Sequence, residues 1–215
     1  MEERSIAIDG PAGAGKSTLA RMVAGHFGLI YVDTGALYRT VGLYVLESGR
    51  DTKDAAAVTE MLHTIKIDMH LDADRRQRMT LNGRDVTDLI RTPQASLAAA
   101  DVSAMPPVRA FLLSMQREMA IRYDIVMDGR DIGTVVLPKA GLKVFITASP
   151  EARAQRRFKE LVTKNVPATY EEVLRDILLR DKSDTEREVS PLKVAEGAVV
   201  LDTTGKSLEE CFLWL

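Results

Sequence analysis

Five stretches of the chain are apolar on successive residues: "SIAIDG" (5–10), "LIYVDTG" (29–35), "YDIVMDG" (123–129), "LKVFITA" (142–148) and "AVVLDTT" (198–204). Runs without polar alternation suit strands covered on both faces of a parallel sheet. Between them, apolar residues return at helical spacing. Val108, Phe111, Leu112, Met115 and Met119 form one stripe, and Val173, Leu174, Ile177 and Leu178 face inward along another stretch, Tyr170 to Lys182. Strands alternating with helices predict a parallel sheet wrapped by helices. "IKIDMHL" (65–71) breaks the rule. Ile65, Ile67, Met69 and Leu71 lie on one side, and Lys66, Asp68 and His70 on the other, the pattern of a half-exposed antiparallel strand. "MTLNGRDVT" (79–87) follows, with Asn82-Gly83 placed for a tight type I′ hairpin, whose central residues both need positive φ. A small antiparallel sheet is therefore expected to interrupt the α/β core over 62–104.

Composition narrows the class. The 215 residues are 46% hydrophobic and 28% charged, as in a globular domain rather than a disordered chain. No apolar run approaches the roughly 18 residues that span a bilayer, and the acidic start "MEERSIAIDG" does not read as a signal peptide. The single cysteine, Cys211, excludes an internal disulfide and fits a reducing cytoplasm. With three histidines and one thiol, a zinc site is not expected, and His63 and His70 read as surface residues. A net charge of −2 with 5% aromatics speaks against nucleic-acid binding. Arginine nevertheless recurs heavily between Arg109 and Arg187.

"GPAGAGKS" matches G-x-x-x-x-G-K-[ST], the P-loop pattern, with an apolar strand running in and a helical pattern running out. Glycines let backbone amides converge on phosphate oxygens, and the following helix adds its unpaired first amides. Gly10, Pro11, Ala12, Gly13, Ala14, Gly15, Lys16, Ser17 and Thr18 are thus the expected cradle of a nucleoside triphosphate. Lys16 reaches the β and γ phosphates, and the Ser17 hydroxyl ligates Mg²⁺. A regulatory GTPase would carry a guanine-reading N-K-x-D. The nearest segment is "DKSD" (181–184), and no "LSGGQ"-like transporter signature is present. Phosphoryl transfer to a small acceptor fits better, and it requires positive charge around both substrates.

Three polar stretches supply that charge: "DTGALYR", "DGRDIGT" (128–134) and "LRDKSDTEREVSPL" (179–192). The first two close strands, where ligands of open parallel sheets bind. Together with "GPAGAGKST", and in this order, they resemble the bacterial-type cytidylate (CMP) kinase family over nearly the whole chain. The resemblance implies a three-layer P-loop kinase fold with a five-stranded parallel sheet. The core is residues 1–61 and 105–215, the inserted nucleoside-monophosphate-binding subdomain 62–104, and the lid 153–169. It gives Thr34, Tyr38 and Arg39 to the acceptor, with Arg39 on its phosphate, and Arg109 to the base. Arg130 grips phosphate and Asp131 reads the cytosine ring. Arg180 and Asp184 serve the sugar and Arg187 the phosphates; spaced i, i+4 and i+7, they share a face if the helix runs that far. Arg153, Arg156 and Arg157 open the lid, and Lys16, Arg130, Arg157 and Arg187 are the implied catalytic set. Where family members often carry a serine that touches cytosine, "AAADVSAMPPVR" places Ala100, leaving a water or Asp101 for that contact.

The implied reaction is ATP plus CMP, or dCMP, giving ADP and the diphosphate. The attacking phosphate oxygen is already anionic, so no general base is needed, and catalysis is alignment plus charge neutralisation. Asp128, ahead of Asp33, is the expected carboxylate organising Mg²⁺. A carboxylate at Asp131 accepts from the cytosine amino group and repels the uracil carbonyl. The competing readings are a P-loop kinase for UMP, AMP or a shikimate-like acceptor, and a nucleotide-dependent switch protein. The expected setting is a cytoplasmic monomer acting on small nucleotides, without nucleic acid or membrane. The apolar ending "CFLWL" is expected either to pack on the sheet or to mark a clipped terminus.

Overall fold

The computed structural model describes residues 4–215. Among the described residues, eight strands and eight α-helices follow one another as β1 (Ser5–Asp9), α1 (Lys16–Phe27), β2 (Ile30–Asp33), α2 (Gly35–Glu47), α3 (Ala55–Met61), β3 (Ile67–Leu71), β4 (Gln77–Leu81), β5 (Arg84–Asp85), α4 (Pro93–Ser103), α5 (Pro106–Arg122), β6 (Ile125–Gly129), β7 (Leu142–Thr147), α6 (Pro150–Thr163), α7 (Tyr170–Glu186), β8 (Val199–Asp202) and α8 (Leu208–Trp214). This is a three-layer α/β fold with a five-stranded parallel sheet, ordered β2-β6-β1-β7-β8, and a separate three-stranded antiparallel sheet, β3-β4-β5. Contacts group the chain into two compact units, one running to Leu29 and resuming at Ile125, the other Ile30–Asp124.

In the first unit, β1 pairs in parallel with β6 from Ser5↔Ile125 to Asp9↔Gly129, and with β7 from Ile6↔Leu142 to Asp9↔Phe145. Ala7, Ile8, Ile125, Val126, Met127 and Ile146 are fully buried, as the unbroken apolar runs require. The run at 198–204 differs. As the sheet's edge, β8 buries Leu201 but exposes Val199 and Val200, because it has a strand partner on one side only. Along α7, Val173 and Ile177 pack with Ala154, whereas Leu178, read as inward, is exposed. The apolar C-terminal stretch forms α8. It packs on α1, with a Phe212–His26 ring contact, Cys211 buried, and Leu213 and Trp214 left exposed.

In the second unit, β3 and β4 pair antiparallel from Ile67↔Leu81 to Leu71↔Gln77. The strand starts two residues later than the alternation, although Ile65 remains buried. Asn82 and Gly83 adopt φ of 50° and 82°, the left-handed pair that the tight turn demands. Helix α2 packs closely on α4. A Cβ at Gly42 would lie 2.8 Å from the Ala98 Cβ and 3.0 Å from the α4 backbone. Gly42→Ala should therefore force the helices apart and cost about 1–3 kcal/mol. Urea denaturation measures this, and an unchanged midpoint would mean that the helices yield freely.

Candidate active site

Strand β1 delivers the chain into the glycine loop, where Gly13 and Gly15 take φ of 76° and 93°. Left-handed residues alternating with ordinary ones turn successive amides toward a common concavity, which attracts anions. Helix α1 begins at Lys16, and its N-terminus carries no side-chain cap. Its first amides thus keep their affinity for negative charge. The Lys16 side chain is buried and folds back, its Nζ donating to the Pro11 carbonyl at 2.7 Å. Burial, then the nearby Arg130 guanidinium, push its ammonium down to about 7, with Arg180 adding to the effect and Asp128 and Asp184 opposing it. The Ser17 hydroxyl donates to Asp128 Oδ2 at 2.8 Å. Thr18, one residue on, is exposed.

Beyond Asp128, β6 ends and a single wide helical turn, Ile132–Val136, follows. Asp9 at the end of β1 holds this turn: its carboxylate accepts from the Ile132 and Gly133 amides at 2.7 and 2.8 Å. Burial raises the Asp9 pKa to about 6 despite those two bonds. Asp131, just before the turn, is buried. Arg130 donates through Nε to Asp184 Oδ2 at 2.7 Å, and the Arg187 Nη1 lies 3.8 Å from Asp184 Oδ1. Burial alone would raise the Asp184 pKa, but Arg130, Arg180 and Arg187 hold it below the usual carboxylate range. Arg180 sits one turn earlier on α7. The expected common helix face stops short of Arg187, because α7 ends at Glu186 and Arg187 is extended (φ −61°, ψ 141°). The ion pair and an Nε donation to the Ser190 carbonyl at 2.7 Å hold Arg187 instead.

On α6 the three lid arginines take different posts. Arg153 is buried, and Arg156 donates to the Thr203 hydroxyl and carbonyl at 3.0 and 2.6 Å. Arg157 is half-exposed and pairs with Glu160 at 2.7 Å, so among the three it is the one facing solvent.

The second unit carries the other expected acceptor residues. Arg39 on α2 is ion-paired with Asp33 at the end of β2, so that carboxylate is already engaged by a cation. The Arg39 Nε is buried and has no hydrogen-bond partner among the described residues. The end of β2 is fixed to the small sheet, since Gln77 accepts from the Asp33 amide at 2.7 Å and donates to its carbonyl at 3.1 Å. Thr34 and Tyr38 are buried, and the Arg109 guanidinium stands 5.4 Å from the Tyr38 ring centroid, within cation–π range. Arg109 also donates to the Ser103 carbonyl at 3.0 Å. Ala100 lies on α4, and Asp101 beside it accepts from Thr52 at 2.6 Å.

The sequence model described as cytidylate kinase matches residues 6–212. A cytidylate kinase of Carboxydothermus hydrogenoformans is 50% identical over 205 residues, covering 95% of this chain and 92% of that protein. One from Caldicellulosiruptor bescii is 49% identical over 210 residues, covering 98% and 92%. The chain belongs to the cytidylate kinase family. A likeness of fold alone links it to an uncharacterized protein from Eubacterium ventriosum, with TM-score 0.56 and 11% identity over 99% of this chain and 95% of that one.

For a member of this family, the residues that sequence reasoning missed are Asp9, Asp181 and Thr203. Asp9 had a signal, a lone carboxylate ending an apolar strand. The other two had none, because nothing in the residues beside them marks their partners. No cluster of three or more His, Cys, Asp or Glu side chains among the described residues would hold a metal by itself. No helix among them is long and apolar enough to cross a membrane.

Asp9 gives a pH signature. With its carboxyl near 6 in the fold and about 3.9 unfolded, the folded state holds a proton that the unfolded state releases. This stabilisation is complete below the unfolded value and fades as pH rises through 6. The stability of the wild type relative to Asp9→Asn should fall by about 1 kcal/mol from pH 5 to 7. Urea titrations of both proteins test this; a constant difference would place the Asp9 carboxyl at its ordinary value.

Proposed function

We propose that this chain transfers the γ-phosphate of ATP to CMP, giving ADP and CDP, and accepts dCMP as well. One observation carries the reading. Lys16 and Ser17 of the glycine loop, Asp128 bonded to that serine, and Arg130, two residues further on, clustered with Asp184 and Arg187, belong to the same unit. Donor phosphates and a further anionic group are both provided for there.

The Ser17 hydroxyl and Asp128 carboxylate are hard oxygen donors that fit Mg²⁺ and would hold it. When bound, the ion neutralises charge on the transferring phosphoryl group. Lys16 releases the Pro11 carbonyl to meet the donor phosphates, which restore its charge. Arg130, Arg187 and Arg157 stabilise the charge spread over the transferring group. Arg39, through its unpaired Nε and the rest of its guanidinium, takes acceptor phosphate, with Thr34 and Tyr38 framing it. Asp131 and Arg109 read the base; Arg180 and Asp184 take the sugar. The lid then closes from the exposed part of α6 beyond Arg156, since Arg153 and Arg156 hold its first turns. The reaction is that of a cytoplasmic monomer on dissolved nucleotides.

ADP release, followed by a coupled assay with CMP, dCMP, UMP, AMP and shikimate, tests this directly. CMP and dCMP should be turned over fastest; ADP release that no monophosphate accelerates would refute the reading. Lys16→Ala should abolish transfer with the fold intact by circular dichroism. Asp131→Ala should cut the preference for CMP over UMP by about tenfold or more, as the loss of one buried charged hydrogen bond costs about 1.5–3 kcal/mol. An unchanged preference would mean the base is read elsewhere. Arg39→Ala should raise the KM for CMP at least tenfold, roughly what losing a charged hydrogen bond costs, and leave the KM for ATP within twofold.

A further inference from the structure

Arg153 was expected at the entrance of a lid, yet its guanidinium is buried and directed at the back of the glycine loop. Its Nη1 donates to the Ala12 carbonyl at 3.1 Å and to Asp181 Oδ1 at 2.8 Å, its Nη2 to Asp181 Oδ2, and its Nε to the Ala148 carbonyl at 2.9 Å. The bidentate pair with Asp181 on α7 fixes the plane of the fork. The stem of Arg153 also backs the loop, as a Cβ at Gly13 would come within 3.3 Å of the Arg153 Cβ.

In a planar trans peptide, the carbonyl of one residue and the amide of the next point in opposite directions. Holding the Ala12 oxygen toward α6 therefore turns the Gly13 N–H the other way. Two residues on, the arrangement repeats: the Thr203 hydroxyl, shared with the Thr147 carbonyl, lies 3.2 Å from the Ala14 oxygen, and Arg156 braces that hydroxyl from α6.

We propose that Arg153, tethered by Asp181, is a positioning residue for the donor triphosphate, which it serves by aiming the Gly13 amide rather than by touching phosphate. Glycine at 13 cannot hold this orientation by itself, because it has the widest backbone freedom of any residue. The external bonds remove that freedom before the nucleotide arrives, so less ordering has to accompany binding. The loop's carbonyls, not only its amides, thus belong to the donor site. Only the donor half of the function proposed above is assumed.

The decisive experiment compares wild type, Asp181→Asn and Arg153→Lys in calorimetric titrations with ATP, with inorganic tripolyphosphate and with CMP. Asp181→Asn preserves shape while loosening the fork, and Arg153→Lys keeps a cation without one. Both should weaken ATP and tripolyphosphate equally, by about three- to tenfold for one hydrogen bond, with CMP affinity unchanged. In the ligand-free variants the amide resonance of Gly13 should shift while those of β1 stay in place. Loss of ATP affinity with tripolyphosphate unaffected would put Arg153 on the nucleoside instead. Equal loss for all three ligands with a lowered melting temperature, or an unmoved Gly13 amide, would reduce the pair to a structural brace. Should the wild type bind CMP but neither ATP nor tripolyphosphate, the donor reading itself falls.

Discussion

Positive charge has to be gathered before there is any substrate to neutralise it, and the first unit is organised around that difficulty. Lys16 is buried beside other cations, and burial first, then Arg130, strips much of the lysine's hold on its proton. Unopposed, such a cluster would repel itself apart. Asp184 stands among Arg130, Arg180 and Arg187, and Asp128 anchors Ser17, so every cation has a carboxylate counterweight. On the proposed function, phosphates arriving from solvent would find counter-charges already in place. This is preorganisation, in which the protein rather than the reacting molecules bears the cost of ordering the dipoles.

Backbone orientation is treated in the same way. The glycines at 13 and 15 make the loop capable of a phosphate cradle, but capability is not a conformation. Bonds from Arg153, Thr203 and the Lys16 ammonium to the loop carbonyls choose one of the available shapes. Asp9 does the equivalent for the turn that follows Arg130 and Asp131, through the Ile132 and Gly133 amides. In each case a buried side chain fixes the course of the backbone beside it.

The parallel strands were legible because residues covered on both faces leave no polar alternation, and the hairpin because Asn-Gly is among the few pairs that tolerate two positive φ angles in succession. The glycine loop was legible for a similar reason: phosphate-sized space next to backbone excludes other residues. Where the pattern misled, environment had overruled it. Val199 and Val200 have strand propensity whether or not anything covers them, and Leu178 repeats at helical spacing yet stays exposed. Arg187 kept its predicted company with Asp184 although the helix stops before it, because charge rather than periodicity brings the two together.

By itself, then, the sequence determined the elements, the phosphate loop and the family, since each depends on short-range spacing or on a pattern of residue types along the chain. Tertiary structure alone decided which charges meet. Arg153 finds Ala12 across 141 positions, and Asp9 finds Ile132 across 123. A guanidinium looks the same in the chain whether it will grip a ligand, a carbonyl or a neighbouring glutamate. Its partner is set by distance in space, and folding, not residue order, fixes that distance.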